Sequence, residues 1–89
     1  MSEGRSARIH LHVVTPRRLV FDAHVDEARL PGLDGQIGVL PGHRPMMIAL
    51  GQGPIVARQG TDEESFEVEG GTAEIMPDRI MVFTKLPDD

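Results

Sequence analysis

Ile9, Leu11 and Val13 alternate with His10, His12 and Val14, the two-residue period of a strand that buries one face. Phe66 and Val68 alternate in the same way with Glu67 and Glu69, predicting a strand with a charged outer side. Near the end of the chain Ile80 and Val82 oppose Met81 and Phe83. Apolar on both faces, that segment predicts a strand near the centre of a two-layer body. The run from Arg44 to Leu50 also fits helical spacing, but Pro45 and the brevity of the run favour a strand.

Chain breakers divide these segments. Glycine and proline recur at Pro16, Pro31-Gly32, Gly35, Pro41-Gly42, Gly51, Gly53-Pro54, Gly60, Gly70-Gly71 and Pro77. The intervals are mostly too short for stable helices, and turns at such spacing indicate a sandwich or barrel. The prediction is therefore a small all-β sandwich, with residues 1–7 a flexible lead-in, 8–86 the domain and 87–89 a tail. At the turn Pro31-Gly32-Leu33-Asp34-Gly35, proline presets its own φ, and Gly32 and Gly35 allow positive φ. Gly70-Gly71 suits a bulge or the close approach of another backbone. Asp62-Glu63-Glu64, after Gly60-Thr61, is expected to form a solvated hairpin loop.

Composition narrows the function classes. With 89 residues there is room for one domain. The net charge of −5 and the presence of only three Phe, with no Trp or Tyr, argue against nucleic-acid binding. That task draws on phosphate-pairing cations and stacking rings. The absence of cysteine excludes disulfides and thiolate metal sites. No apolar run approaches the roughly 20 residues needed to span a bilayer, so membrane association is expected only through a partner.

Candidate chemistry is sparse. His10 and His12 share a strand face and could supply two imidazoles to one ion. A cupin-like arrangement would place an acidic ligand four or five residues on, where Pro16 and Arg17 stand. No metal site is therefore expected. There is neither a Gly-x-Ser-x-Gly elbow nor a phosphate-binding Gly-x-x-x-x-Gly-Lys motif. No catalytic and no cofactor-binding residues are assigned. A stand-alone β-sandwich module binding metal or protein is the alternative reading.

A longer pattern carries more weight. Val14-Thr15-Pro16 and Val20-Phe21 precede the block Pro31-Gly32-x-x-Gly35-x-x-Gly38-Val39-Leu40-Pro41-Gly42-His43-x-Pro45. Met46 to Gly51 follow, then Phe66-x-Val68-x-Gly70-Gly71-x-x-Glu74-Ile75-x-Pro77 and the apolar segment from Ile80 to Thr84. In order and spacing this resembles the N-terminal domain of the bacterial F-type ATP synthase epsilon subunit, across residues 8–86. The resemblance implies a sandwich of two antiparallel sheets, about ten short strands in all. It also implies a non-catalytic rotor subunit of the central stalk, held by the gamma subunit and seated on the membrane c-ring. Such a subunit couples ion transport to ATP synthesis as a peripheral part of the complex at the cytoplasmic face of the membrane.

By the same resemblance, Asp34, Gly35, Gln36 and Ile37 correspond to the loop that meets the c-ring. Gln36 stands where many members carry an acidic residue. Thr15, His43, Ile48, Glu69, Glu74 and Met81 correspond to the gamma-facing surface, with Glu69 in place of a residue that is often Ser. His43 also suits a turn-capping role. Epsilon subunits commonly continue into two C-terminal helices. The sequence here ends Lys85-Leu86-Pro87-Asp88-Asp89, so neither inhibition of hydrolysis nor nucleotide binding is expected.

Overall fold

The computed structural model describes residues 8–88. The lead-in expected at residues 1–7, and the last residue of the expected tail, lie outside them. The described residues form no helix and seven strands: β1 (Ile9–Val14), β2 (Leu19–Val25), β3 (Glu27–Gly32), β4 (Gly35–Val39), β5 (Met46–Gln59), β6 (Asp62–Ile75) and β7 (Arg79–Thr84). The ambiguous run after Pro45 is the first part of β5. Asp62, Glu63 and Glu64 begin β6 instead of forming a loop, because Gly60 and Thr61 alone close the β5–β6 hairpin.

The strands hydrogen-bond in the order β2-β1-β7-β6-β5-β3-β4. Two features differ from the expected pair of antiparallel sheets. Seven strands stand in place of about ten because β5 and β6, at 14 residues each, run through both layers without a break. In addition, β1 pairs with β7 in parallel. Parallel neighbours need a long crossover, and here the rest of the domain provides it.

A bend in the β5–β6 hairpin turns this sheet into a sandwich. The register runs Leu50 to Gly71 and resumes at Gln52 to Glu69, leaving Gly51 and Gly70 unpaired between. Both Gly70 (φ 74°) and Gly71 (φ 112°) adopt backbone that L-residues with a side chain rarely enter. A Cβ on Gly71 would collide with the Phe83 carbonyl and lie 2.9 Å from Thr84 Cα. Thr84 Oγ1 donates to the Gly70 carbonyl at 2.5 Å, and the Glu69 N–H donates to the Lys85 carbonyl at 2.7 Å. The close backbone approach predicted for this glycine pair is thus present.

Before the bend, Met46–Leu50 and Gly71–Ile75 form one layer with β7, β1 and β2. After it, Gln52–Gln59 and Asp62–Glu69 form the other layer with β3 and β4. Phe21 on β2 meets Phe66 on β6 with ring centroids 5.7 Å apart. Those strands are separated by two others in the sheet order, so the rings can touch only because the sheet folds over on itself.

One core fills the space between the layers. Ile9, Leu11 and Val13 from β1, Val25 from β2, Leu30 from β3, Ile55 from β5, Val68 and Ile75 from β6, and Ile80 and Val82 from β7 are all fully buried. The predicted inward residues of β1 and β6 therefore face inward as their alternation requires. Leu86 reaches the same cluster and holds the end of the described chain against it.

Candidate docking surface

On β7, Ile80, Val82 and Thr84 point into the core, while Met81 is half-buried and Phe83 is 49% exposed. The two-sided apolar pattern therefore marks a central strand, as expected, but only one of its faces is buried. β7 is central in its layer, but among the described residues no third layer covers its outer side.

The register extends that outer side across four strands. His12 on β1 stands against Met81 on β7, Met81 against Glu74 on β6, and Glu74 against Met47 on β5. The next row is Val14, Phe83, Thr72 and Ala49. Met47 is 69% exposed on this face, whereas Met46, paired with buried Ile75, belongs to the opposite side of β5. Large apolar side chains clustered on one sheet face, with Glu74 among them, have the composition of a protein-binding surface. Methionine adapts its shape and a phenylalanine ring supplies buried area.

Two grooves border this face. In the first, of about 460 Å³, the β3–β4 hairpin lies across β5 at Met47, Ile48 and Ala49. Leu33 and Asp34 form the turn, Leu33 is 70% exposed, and its N–H donates to the Ala49 carbonyl at 3.1 Å. Gly35 takes φ 128° here, as expected, but Gly32 does not adopt positive φ. A Cβ on Gly32 would instead come within 2.8 Å of the Gly35 carbonyl oxygen, so crowding across the hairpin is what requires that glycine. The second groove, of about 620 Å³, runs beside Phe83 between Thr15 and Glu69.

The residues singled out in sequence fall into separate groups. Asp34, Gly35, Gln36 and Ile37 sit together on the β3–β4 hairpin, with Ile37 packed against the core and the others exposed. Ile48 lines the same groove and is paired with buried Ala73. It therefore turns away from the face that Glu74 and Met81 share. Thr15 and Glu69 border the second groove.

Thr15 is almost wholly buried, and its hydroxyl accepts the N–H groups of Arg17 and Arg18 at 3.2 Å each. It closes the β1–β2 turn. His43 closes the Pro41-Gly42 turn through its backbone N–H, which donates to the Leu40 carbonyl at 3.1 Å, while its ring Nδ1 donates to the Arg44 carbonyl at 2.7 Å. Phe83, Met46 and Met47 were not singled out, although the two-sided apolar pattern of β7 was the available signal for the first.

Charged groups concentrate at the β5–β6 hairpin end and at the β1 border of the outer face itself. At the β5–β6 hairpin end, Asp26 Oδ2 accepts the Gly60 N–H at 2.6 Å, with Arg8 and Arg58 nearby. That hydrogen bond, reinforced by both guanidinium groups, holds the Asp26 carboxyl below its ordinary value. On β1 and β2, His10 and His12 share a face as predicted, and a carboxylate absent from the local spacing arrives from the neighbouring strand. This is Asp22, whose pKa is lowered chiefly by its hydrogen bond to His10.

Comparison with known proteins places these features in a family setting. The model for the β-sandwich domain of the ATP synthase delta/epsilon chain matches residues 8–85. The ATP synthase epsilon chain of Dehalococcoides mccartyi is 43% identical over 76 residues, 85% of this chain and 54% of that one. That of Caulobacter vibrioides is 32% identical over 79 residues, 89% of this chain and 92% of that one. The chain thus spans about half the length of the first relative and nearly all of the second. Among solved structures, a chain of the Euglena gracilis mitochondrial ATP synthase superposes with a TM-score of 0.82 at 21% identity, over 88% of this chain and 51% of that one. A chain from the central stalk and c-ring of the Tetrahymena thermophila mitochondrial ATP synthase gives 0.70 at 13% identity, covering 86% and 63%. At these identities the superpositions establish a shared fold.

Proposed function

Since the chain belongs to the β-sandwich family of ATP synthase delta/epsilon chains, we propose that it is a non-catalytic central-stalk subunit of an F-type ATP synthase. The family match over residues 8–85 carries this reading. In it, the outer face of β1, β7, β6 and β5, with Met81, Glu74, Met47 and Phe83, docks on the gamma subunit. Thr15, Glu69 and His43 contribute at its margins, Thr15 through the turn that it caps.

The β3–β4 hairpin, from Asp34 to Ile37, meets the polar loops of the c-ring, and Ile48 supports it from the groove floor. Gln36 offers a neutral amide there, so its own contact rests on hydrogen bonding and shape, and Asp34 is the charged group of the loop. As such a subunit the chain is a peripheral part of a membrane-bound complex, at the cytoplasmic face of a bacterial membrane. Ion flow turns the ring, and the chain passes that rotation to the shaft. The task demands stiffness, which a close-packed sandwich with long, cross-paired strands provides. It demands no reaction from the chain itself.

The test is co-purification with the gamma subunit from the same source, followed by addition of the chain to membranes stripped of their own copy. A stable complex and recovered ion-coupled ATP synthesis are expected. A folded chain that neither binds gamma nor restores coupling removes the proposal.

A further inference from the structure

The outward face of β1 and β2 gathers three histidines and a carboxylate. In the antiparallel register Asp22 stands opposite His12, and His24 opposite His10. Asp22 Oδ1 lies 2.5 Å from His10 Nε2 and 3.5 Å from His12 Nδ1. The His10 ring is 3.8 Å from that of His12 and stacks at 4.2 Å on that of His24. One ligand atom from each of His10, His12 and Asp22 lies within 4.8 Å of the other two.

We propose that His10, His12 and Asp22 form a surface site for a first-row divalent cation such as zinc, nickel or copper. Two imidazole nitrogens and one carboxylate oxygen hold the ion, and solvent completes its shell. Bonds of about 2.0–2.2 Å to a tetrahedral ion separate neighbouring ligand atoms by about 3.3–3.6 Å. The His12–Asp22 separation already meets that spacing. The shorter His10–Asp22 contact has a proton between its atoms, and a cation that takes the proton's place needs those atoms to part by about an ångström.

The backbone holds this arrangement ready. β1 is flanked by β2 and β7, so His10 and His12 project from a strand fixed on both sides. Their side chains are 31% and 23% exposed, and that of Asp22 42%. The cluster is therefore open on one side, as a three-ligand site with bound water requires. Imidazole and carboxylate donors favour zinc, copper and nickel over the harder magnesium and calcium. Arg79 occupies the position beside His10 on β7 and opposes a dication there, so Asp22 is essential to the charge balance.

Tag-free protein titrated with zinc chloride by calorimetry near neutral pH tests the site, with cobalt(II) absorption as a reporter of nitrogen and oxygen coordination. One equivalent is expected to bind and to raise the melting temperature. His12→Gln and Asp22→Asn should each weaken binding about tenfold or more. His43→Gln, at a histidine that is not part of the cluster, should leave metal binding unchanged. Melting of the metal-free variants checks that they fold, and these outward-facing polar changes should shift it little. Absence of heat and of any melting shift at millimolar zinc would overturn the proposal. So would binding that persists in the His10→Gln/His12→Gln double variant or disappears in His43→Gln.

Discussion

Gly71→Ala is the substitution for which the structure gives the largest effect at a partly exposed position. Two costs combine. The backbone at φ 112° lies outside the regions open to an alanine, a strain of about 1–3 kcal/mol. The new methyl also meets the backbone of β7 at Phe83 and Thr84, and forcing atoms into a packed space costs about 1–3 kcal/mol more. The β7 backbone cannot step aside cheaply, because it is paired with β1 on one side and β6 on the other.

Together these terms give about 2–6 kcal/mol. For a domain of this size each kcal/mol lowers the melting temperature by about 4–8 °C, so a fall of about 8 °C at the least is expected. Gly70→Ala is the internal comparison. It shares positive φ at 74°, but its nearest neighbour is the Leu50 carbonyl oxygen at 3.8 Å. Only the left-handed backbone cost of about 1–2 kcal/mol applies there. Thermal and urea melts of both variants, analysed as two-state transitions, provide the measurement. If Gly71→Ala melts within about 4 °C of the parent, or if Gly70→Ala is the worse of the two, the argument from the β5–β6 bend fails.

Other perturbations test the core, the surface and the charges. Leu11→Ala or Ile80→Ala, each at a fully buried position, should cost about 2–5 kcal/mol in urea melts through lost burial and cavity formation. Thr15→Ala leaves the Arg17 and Arg18 N–H groups without their acceptor and should cost about 1 kcal/mol. Met47→Thr and Phe83→Thr keep β-propensity and should leave melting nearly unchanged while weakening gamma-subunit capture about tenfold. Undiminished capture by the double variant would move the interface elsewhere.

The Asp26 carboxyl is depressed in the folded state, so its stabilising contribution is present above the unfolded aspartate value. That contribution is lost as pH falls through the lower folded value. Urea midpoints stepped downward from about pH 5 should therefore drop more in the parent than in Asp26→Asn. Arg8→Ala should change this dependence less, because the Gly60 N–H is the larger cause of the shift.

The sequence singled out residues on several parts of the proposed docking surface, though not as one surface. The family pattern around Gly35 and Pro41-Gly42-His43 pointed to the β3–β4 hairpin, and residues 34–37 do lie together there. It also grouped Ile48 with Glu74 and Met81, which share neighbouring strands but not a face, because Ile48 aligns with inward Ala73. The exposure of Phe83 was hidden in an apolar alternation that reads equally as burial on both sides. The His–Asp cluster was out of reach, since its carboxylate comes from a paired strand and the search for a ligand followed linear spacing.

By itself the sequence determined that the chain is all-β, where some of its turns fall, which side chains share a face within each strand, and the family to which it belongs. Period-two alternation and glycine or proline punctuation act within a few residues, so they survive in a linear reading. Only the tertiary structure decided that β1 lies parallel to β7, that the β5–β6 hairpin bends at Gly51 and Gly70 to close two layers, and that the outer face of β7 is left open. Those outcomes depend on pairings between residues distant in the chain. Alternation fixes that a strand has two faces, but what covers each of them is settled by the strands and layers that fold against it.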